Sequence, residues 1–121
     1  FPPVGSPDGG AYVTAGDLDR FLRAVQAGRL LSPELTAEFL SPHVLCRETE
    51  AGRVHYGYGL AFQAGTTGEI IFYGKSGINA GVSAMLRHYP GASVTVVLLS
   101  NMEDGVWEPL RKVHEAVVAG V

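Results

Sequence analysis

The spacing of apolar positions changes character part-way along the chain. Leu18, Phe21, Leu22 and Val25 recur at the interval of one helix face, with Arg20 and Arg23 off that stripe. Thr14 followed by Asp17 resembles a capping box with an acid in place of the usual Glu or Gln, and Gly28 is a natural C-terminal stop. A helix over about 15–27 is predicted. Ser32-Pro33 reads as an N-cap with proline at the first helical position; Leu35, Phe39 and Leu40 give a short second helix a face to bury, and Pro42 ends it. Residues 43–53 have no period and are expected to be an irregular connection.

From His55 the period falls to two. Tyr56, Tyr58, Leu60 and Phe62 share one face of an expected strand, while Gly57, Gly59 and Ala61 share the other, which implies a close neighbour on that side. Thr66-Thr67-Gly68 turns the chain into a strand from Glu69 to Lys75, and Val82 to Tyr89 alternates again. Pro90-Gly91 carries the residues of a type II turn, with proline at i+1 and glycine at i+2. Val94 to Leu99 is almost uniformly apolar and reads as a central strand covered on both faces. Val106, Leu110, Val113 and Val117 then restore a helical stripe, with Pro109 in its first turn. Two helices, four strands and a closing helix predict an α+β fold, an antiparallel β-sheet flanked by helices. Residues 1–13, with Phe1-Pro2-Pro3 and Ser6-Pro7-Asp8-Gly9-Gly10, are expected to be an extended lead-in.

Composition narrows the class. A chain of 121 residues suffices for one domain, and its 46% hydrophobic and 17% charged residues are those of a globular protein. The net charge of −3 and nine scattered Lys and Arg residues offer no basic stripe for nucleic acid. No apolar run approaches the roughly 20 residues that span a bilayer. Cys46 is the single cysteine, so no internal disulfide forms, and a buried or half-buried thiol is expected. His43 and Cys46 are possible metal ligands, but His55, His88 and His114 show no zinc spacing, so no metal or cofactor is expected. Trp107 sits at helical spacing with Val106 and Leu110 and reads as a core anchor rather than a ligand platform. The chain begins at Phe1 rather than Met, with no signal sequence after it, and is expected to be a processed or partial piece.

The stretch Tyr73-Gly74-Lys75-Ser76-Gly77-Ile78-Asn79-Ala80-Gly81 carries the candidate chemistry. Lys75 ends an apolar strand, Ser76 sets a hydroxyl beside the ammonium, and Gly77 lets another backbone approach. Such a strand suits an anionic, amide-like substrate: the ammonium and hydroxyl bind a carboxylate, and the strand edge pairs with the substrate's amide. Backbone N–H groups just after Gly77 could stabilise an oxyanion, a contribution on the order of 3–4 kcal/mol. A bare Lys-Ser-Gly tripeptide is also common at strand ends.

Its surroundings give the tripeptide weight. The stretch resembles the Lys-Thr/Ser-Gly element of serine β-lactamases, penicillin-binding proteins and related esterases. Gly10-Ala11-Tyr12-Val13-Thr14-Ala15-Gly16-Asp17-Leu18, Gly28-Arg29-Leu30-Leu31-Ser32-Pro33-Glu34, Tyr56-Gly57-Tyr58-Gly59-Leu60 and Val97-Leu98-Leu99-Ser100-Asn101 are similar to the same family's helix, connection, Gly-Tyr-Gly-Leu strand and closing hairpin, in the same order. The resemblance covers about residues 9–118. It implies that Lys75 orients a substrate carboxylate, that Ser76 donates a hydrogen bond to it, that Ile78 supplies the second oxyanion N–H, and that Gly77 and Asn79 line the substrate strand. It also exposes a gap. Phe72 and Pro109 stand three residues before Lys75 and Lys112, so the family's Ser-x-x-Lys nucleophile is missing, and no Tyr-x-Asn or Ser-x-Asn is present.

The resemblance therefore implies a single partial domain over 1–121: the C-terminal portion of a serine hydrolase of β-lactams, D-Ala peptides or esters, inactive alone. Its expected partners are the missing N-terminal portion and a small-molecule or peptide substrate. With the family's first two strands absent, Val94 to Leu99 would expose an edge open to homodimerisation. A non-catalytic module that binds a peptide or partner along its sheet edge is the alternative, and a truncated chain with no native role is a third. Substrate class and compartment, periplasmic, secreted or cytoplasmic, stay open at this level.

Overall fold

The computed structural model describes residues 9–120, so Phe1-Pro2-Pro3 and Ser6-Pro7-Asp8 of the expected lead-in lie outside the described residues. The elements are α1 (Ala15–Gln26), α2 (Pro33–Phe39), β1 (Val44–Thr49), β2 (Gly52–Tyr56), β3 (Ala61–Ala64), β4 (Ile70–Asn79), β5 (Val82–Tyr89), β6 (Val94–Ser100) and α3 (Trp107–Val118). The strands form one antiparallel sheet in sequence order, β1-β2-β3-β4-β5-β6.

The helix starts follow from their caps. Thr14 Oγ1 accepts from the Asp17 N–H at 3.1 Å and Asp17 Oδ2 accepts from the Thr14 N–H at 3.1 Å, a reciprocal box. The Thr14 hydrogen bonds, with help from Arg20, hold the Asp17 carboxyl below its ordinary pKa. Ser32 caps α2 through the Leu35 N–H. Along α1, Leu22 and Val25 are buried, but Phe21 is 51% exposed because no described element covers its flank of the stripe.

Tyr73 and Phe72 are consecutive, so alternation sends them to opposite faces. Tyr73 meets α1, where Gln26 Nε2 donates to its hydroxyl at 2.7 Å; Phe72 meets α3, with its ring 5.7 Å from that of His114. The sheet thus lies between helices. Leu22, Leu60, Phe62 and Tyr73 form the core on the α1 side. On the α3 side Val106 and Leu110 are buried, and Trp107 is half-buried. Ser83, fully buried, donates to the Met102 carbonyl at 2.7 Å and accepts from the Val106 N–H at 3.3 Å, tying β5 to the start of α3.

Several expectations need correcting. Six strands form rather than four, since 44–49 and 52–56 pair as a hairpin where a connection was expected. Every β1 residue is exposed, so no buried face imprinted a period on its sequence. The expected strand from 55 to 62 is two strands: Tyr58 and Gly59, the latter at φ +94°, turn the chain, and the Gly57 N–H donates to the Leu60 carbonyl at 2.9 Å. The close neighbour inferred for the glycine face exists at Gly57, where a Cβ would lie 2.7 Å from the Ser41 carbonyl oxygen, but not at Gly59. At Pro90 the turn is closed by the Ser93 N–H donating to the Pro90 carbonyl at 3.3 Å, which puts proline at i rather than i+1, and Ser93 itself takes φ +54°. Among the described residues β6 pairs with β5 alone, so it is the exposed edge that the missing strands implied and not the central strand that its apolar run suggested. Cys46 is exposed, on the exposed hairpin.

Candidate active-site strand

The two neighbours of β4 cover different lengths of it. β3 pairs from Ala64↔Ile70 to Ala61↔Gly74 and stops, because the chain has turned at Tyr58–Gly59. β5 continues to Lys75↔Leu86, Ser76↔Met85, Gly77↔Ala84, Ile78↔Ser83 and Asn79↔Val82. Among the described residues, Lys75 to Asn79 therefore has strand on one side only.

The direction of the backbone groups follows from the turn. Ala80 and Gly81 are a two-residue hairpin loop, with Gly81 at φ +76°, which makes Asn79 and Val82 the closing hydrogen-bonded pair. Antiparallel pairs alternate, so residues 75, 77 and 79 face β5 and the N–H and C=O groups of Ser76 and Ile78 face the open side. The same alternation aims Phe72 and Gly74 at β3. Free backbone groups begin where β3 ends.

All five predicted site residues, Lys75, Ser76, Gly77, Ile78 and Asn79, are exposed and consecutive along this open edge. Lys75 Nζ donates to the Tyr56 hydroxyl at 3.2 Å and lies 5.4 Å from the centroid of that ring. The Ser76 hydroxyl has no hydrogen bond among the described residues. Strand alternation sends Lys75 and Ser76 to opposite faces, so they converge only on a group beside the edge itself. Ile78 is 61% exposed. Asn79 Oδ1 accepts from the Ala80 N–H at 3.2 Å, which commits its carbonyl to the turn.

The two glycines flanking Lys75 differ in cause. A Cβ on Gly74 would strike the Leu86 carbonyl oxygen, so the sheet itself demands glycine there. On Gly77 a Cβ would meet only the Ala84 Cβ at 3.9 Å, an ordinary contact. Nothing inside the fold requires Gly77; an approaching backbone would.

Sequence reasoning did not find Tyr56, nineteen positions from Lys75 and brought to it by the sheet. His88 and His114 lie on β5 and α3. Burial lowers the pKa of both, and at His114 the Arg87 charge adds to the shift while Glu115 opposes it. His43 Nε2 is held at the Glu38 carbonyl at 2.8 Å, and no group of three His, Cys, Asp or Glu that could hold a metal ion occurs among the described residues.

The Beta-lactamase family model matches residues 1–119. The chain belongs to the beta-lactamase family. This beta-lactamase-family chain is similar in structure to the penicillin binding protein from Bacillus halodurans, with 32% identity and a TM-score of 0.86 over 97% of this chain and 34% of that one. It is also similar to a D-stereospecific amidohydrolase from Streptomyces sp., with 25% identity and a TM-score of 0.56 over 73% of this chain and 25% of that one. No curated protein matches it. The family chain described here thus spans about a third of the length of the penicillin binding protein it matches.

Proposed function

We propose that this chain is the C-terminal portion of a serine hydrolase and supplies the strand against which the substrate lies. The observation that carries the reading is the one-sided pairing of Lys75–Asn79 beside an unengaged Ser76 hydroxyl. A substrate amide would pair with the free groups of Ser76 and Ile78 as an added strand. Lys75, steadied by Tyr56, and Ser76 would bind its carboxylate, and the Ile78 N–H would donate to the oxyanion. The penicillin-binding and D-stereospecific amidohydrolase relatives favour acyl transfer on β-lactams or D-amino amides and peptides, with esters the further class that the motif resemblance adds.

The attacking serine must come from elsewhere, since no Ser-x-x-Lys lies in these residues. The N-terminal portion of the same protein would bring it and would pair with the β6 edge; without that portion the edge would pair with a second copy. The full-length protein should be acylated by a β-lactam or a fluorophosphonate, whereas this chain alone should not, and Lys75→Ala should slow acylation of the full-length protein. A full-length protein labelled by neither reagent, and inert toward lactams, D-amino peptides and esters, would refute the enzymatic reading. Saturable peptide binding along the same edge would then favour the alternative, a non-catalytic binding module.

A further inference from the structure

A trough runs across the α3-side face of the sheet, behind the open edge. The register puts Ala61 opposite Gly74, so its floor is a methyl group beside a bare backbone. Gln63 and Phe72 wall it on one side, Ser76 and Met85 on the other. Its cavity of about 210 Å³ takes one small group, below the size of a site for a drug-sized ligand.

The charge lining the trough is one-sided. Arg47 on β1 and Arg87 on β5 stand toward its two ends, and Lys75 borders it; no Asp or Glu lines it. This positive lining sits in a chain of net charge −3. Arg20, Arg23, Arg53 and Arg111 each hold a carboxylate. Arg47 does not: its neighbour Glu48 pairs with Arg53 at 3.0 Å, and the Arg47 side chain has no hydrogen bond or ion pair among the described residues. Arg87 is fixed without an acid, its guanidinium carbon 3.6 Å from the centroid of the Phe72 ring and its Nη1 donating to the Tyr89 hydroxyl at 3.3 Å. Two guanidinium groups around a small-residue floor have donors to spare and no counter-charge, whereas the Lys75 side chain leaves its strand on the opposite face.

We infer that this trough is a subsite for a small oxyanion, a carboxylate or a phosphate, held by Arg47 and Arg87 on the α3-side face and adjoining, through Ser76, the group bound beside the edge. It rests on the function proposed above only in assigning that oxyanion to the substrate; the binding itself needs no nucleophile.

The test is a titration of the full-length protein with acetate and with inorganic phosphate, following the arginine side-chain Nε–H resonances. Saturable shifts at Arg47 and Arg87 are expected, weakening as salt is raised. A response to acetate alone assigns a carboxylate, and to phosphate alone a phosphate ester. Arg47 is exposed on the outermost strand, so Arg47→Glu leaves the fold intact, and it should weaken binding about tenfold or more, with Arg47→Lys restoring most of it. No saturable shift, or the same affinity in Arg47→Glu, overturns the inference. Because turnover is not read, a failed acylation experiment and a failed titration are separate results.

Discussion

The two halves of β4 share one strand, one partner in β5 and one backbone geometry, yet they have opposite fates. Ile70 to Gly74 pairs with β3, and at Tyr73 and Gly74 with β5 as well, with Tyr73 buried in the core and Gly74 forced by the Leu86 carbonyl. Lys75 to Asn79 is exposed, paired on one side, and carries a glycine that the fold does not require. The first half is specified by what already touches it, the second by what it leaves free. A sheet can therefore hold its functional strand rigidly and still present unsatisfied backbone, because anchoring and presentation occupy different lengths of the same strand.

The contrast can be broken hardest through the anchor. Phe62 is 1% exposed and stacks on Tyr73 with centroids 5.5 Å apart. Phe62→Ala should cost about 3–5 kcal/mol in a denaturant melt. On the free half, Ile78→Pro deletes an N–H that points away from β5, a place where an edge strand tolerates proline. It should lower the acylation rate of the full-length protein about 10²–10³-fold with the fold retained; loss of folding instead would mean that Ile78 bonds β5. The glycine pair is the sharper comparison. Gly74→Ala should destabilise by about 1–3 kcal/mol, whereas Gly77→Ala should stay within about 0.5 kcal/mol and act on substrate affinity instead. Equal melting shifts for the two would erase the distinction.

The smallest effect is that of pH. His88 and His114 have folded pKa values below the ordinary 6.5, so the unfolded chain takes up protons first as the pH falls. Their contribution is complete above about pH 6.5 and declines as pH drops through the folded values. Denaturation midpoints should fall from pH 7.5 to pH 5, and His114→Gln should flatten part of that slope.

What was legible in the sequence was local. Thr14 with Asp17, and Ser32 with Pro33, announce their helices because a cap is made within a few residues. The candidate strand was legible as a motif in order among its neighbours. What was illegible depended on distant partners. The exposed β1 carries no alternation to read. Tyr56, Tyr58, Leu60 and Phe62 alternate through a turn, so period alone ran two strands together. Val94 to Leu99 is apolar enough for a central strand, but centrality depends on what lies beside it, and among these residues only β5 does. The contact of Tyr56 with Lys75 exists only once β2, β3 and β4 are aligned.

The hairpin at Tyr58–Gly59 works as a ruler. The free stretch starts where β3 stops, and β3 stops where that turn is placed. Moving the turn outward by two residue pairs would zip β3 two positions further along β4 and hide Ser76's amide without changing any residue of the site. Moving it inward would uncover Gly74. The span open to a ligand is thus metered by a loop position remote from the chemistry, a dial that insertion and deletion can turn while the functional side chains stay as they are.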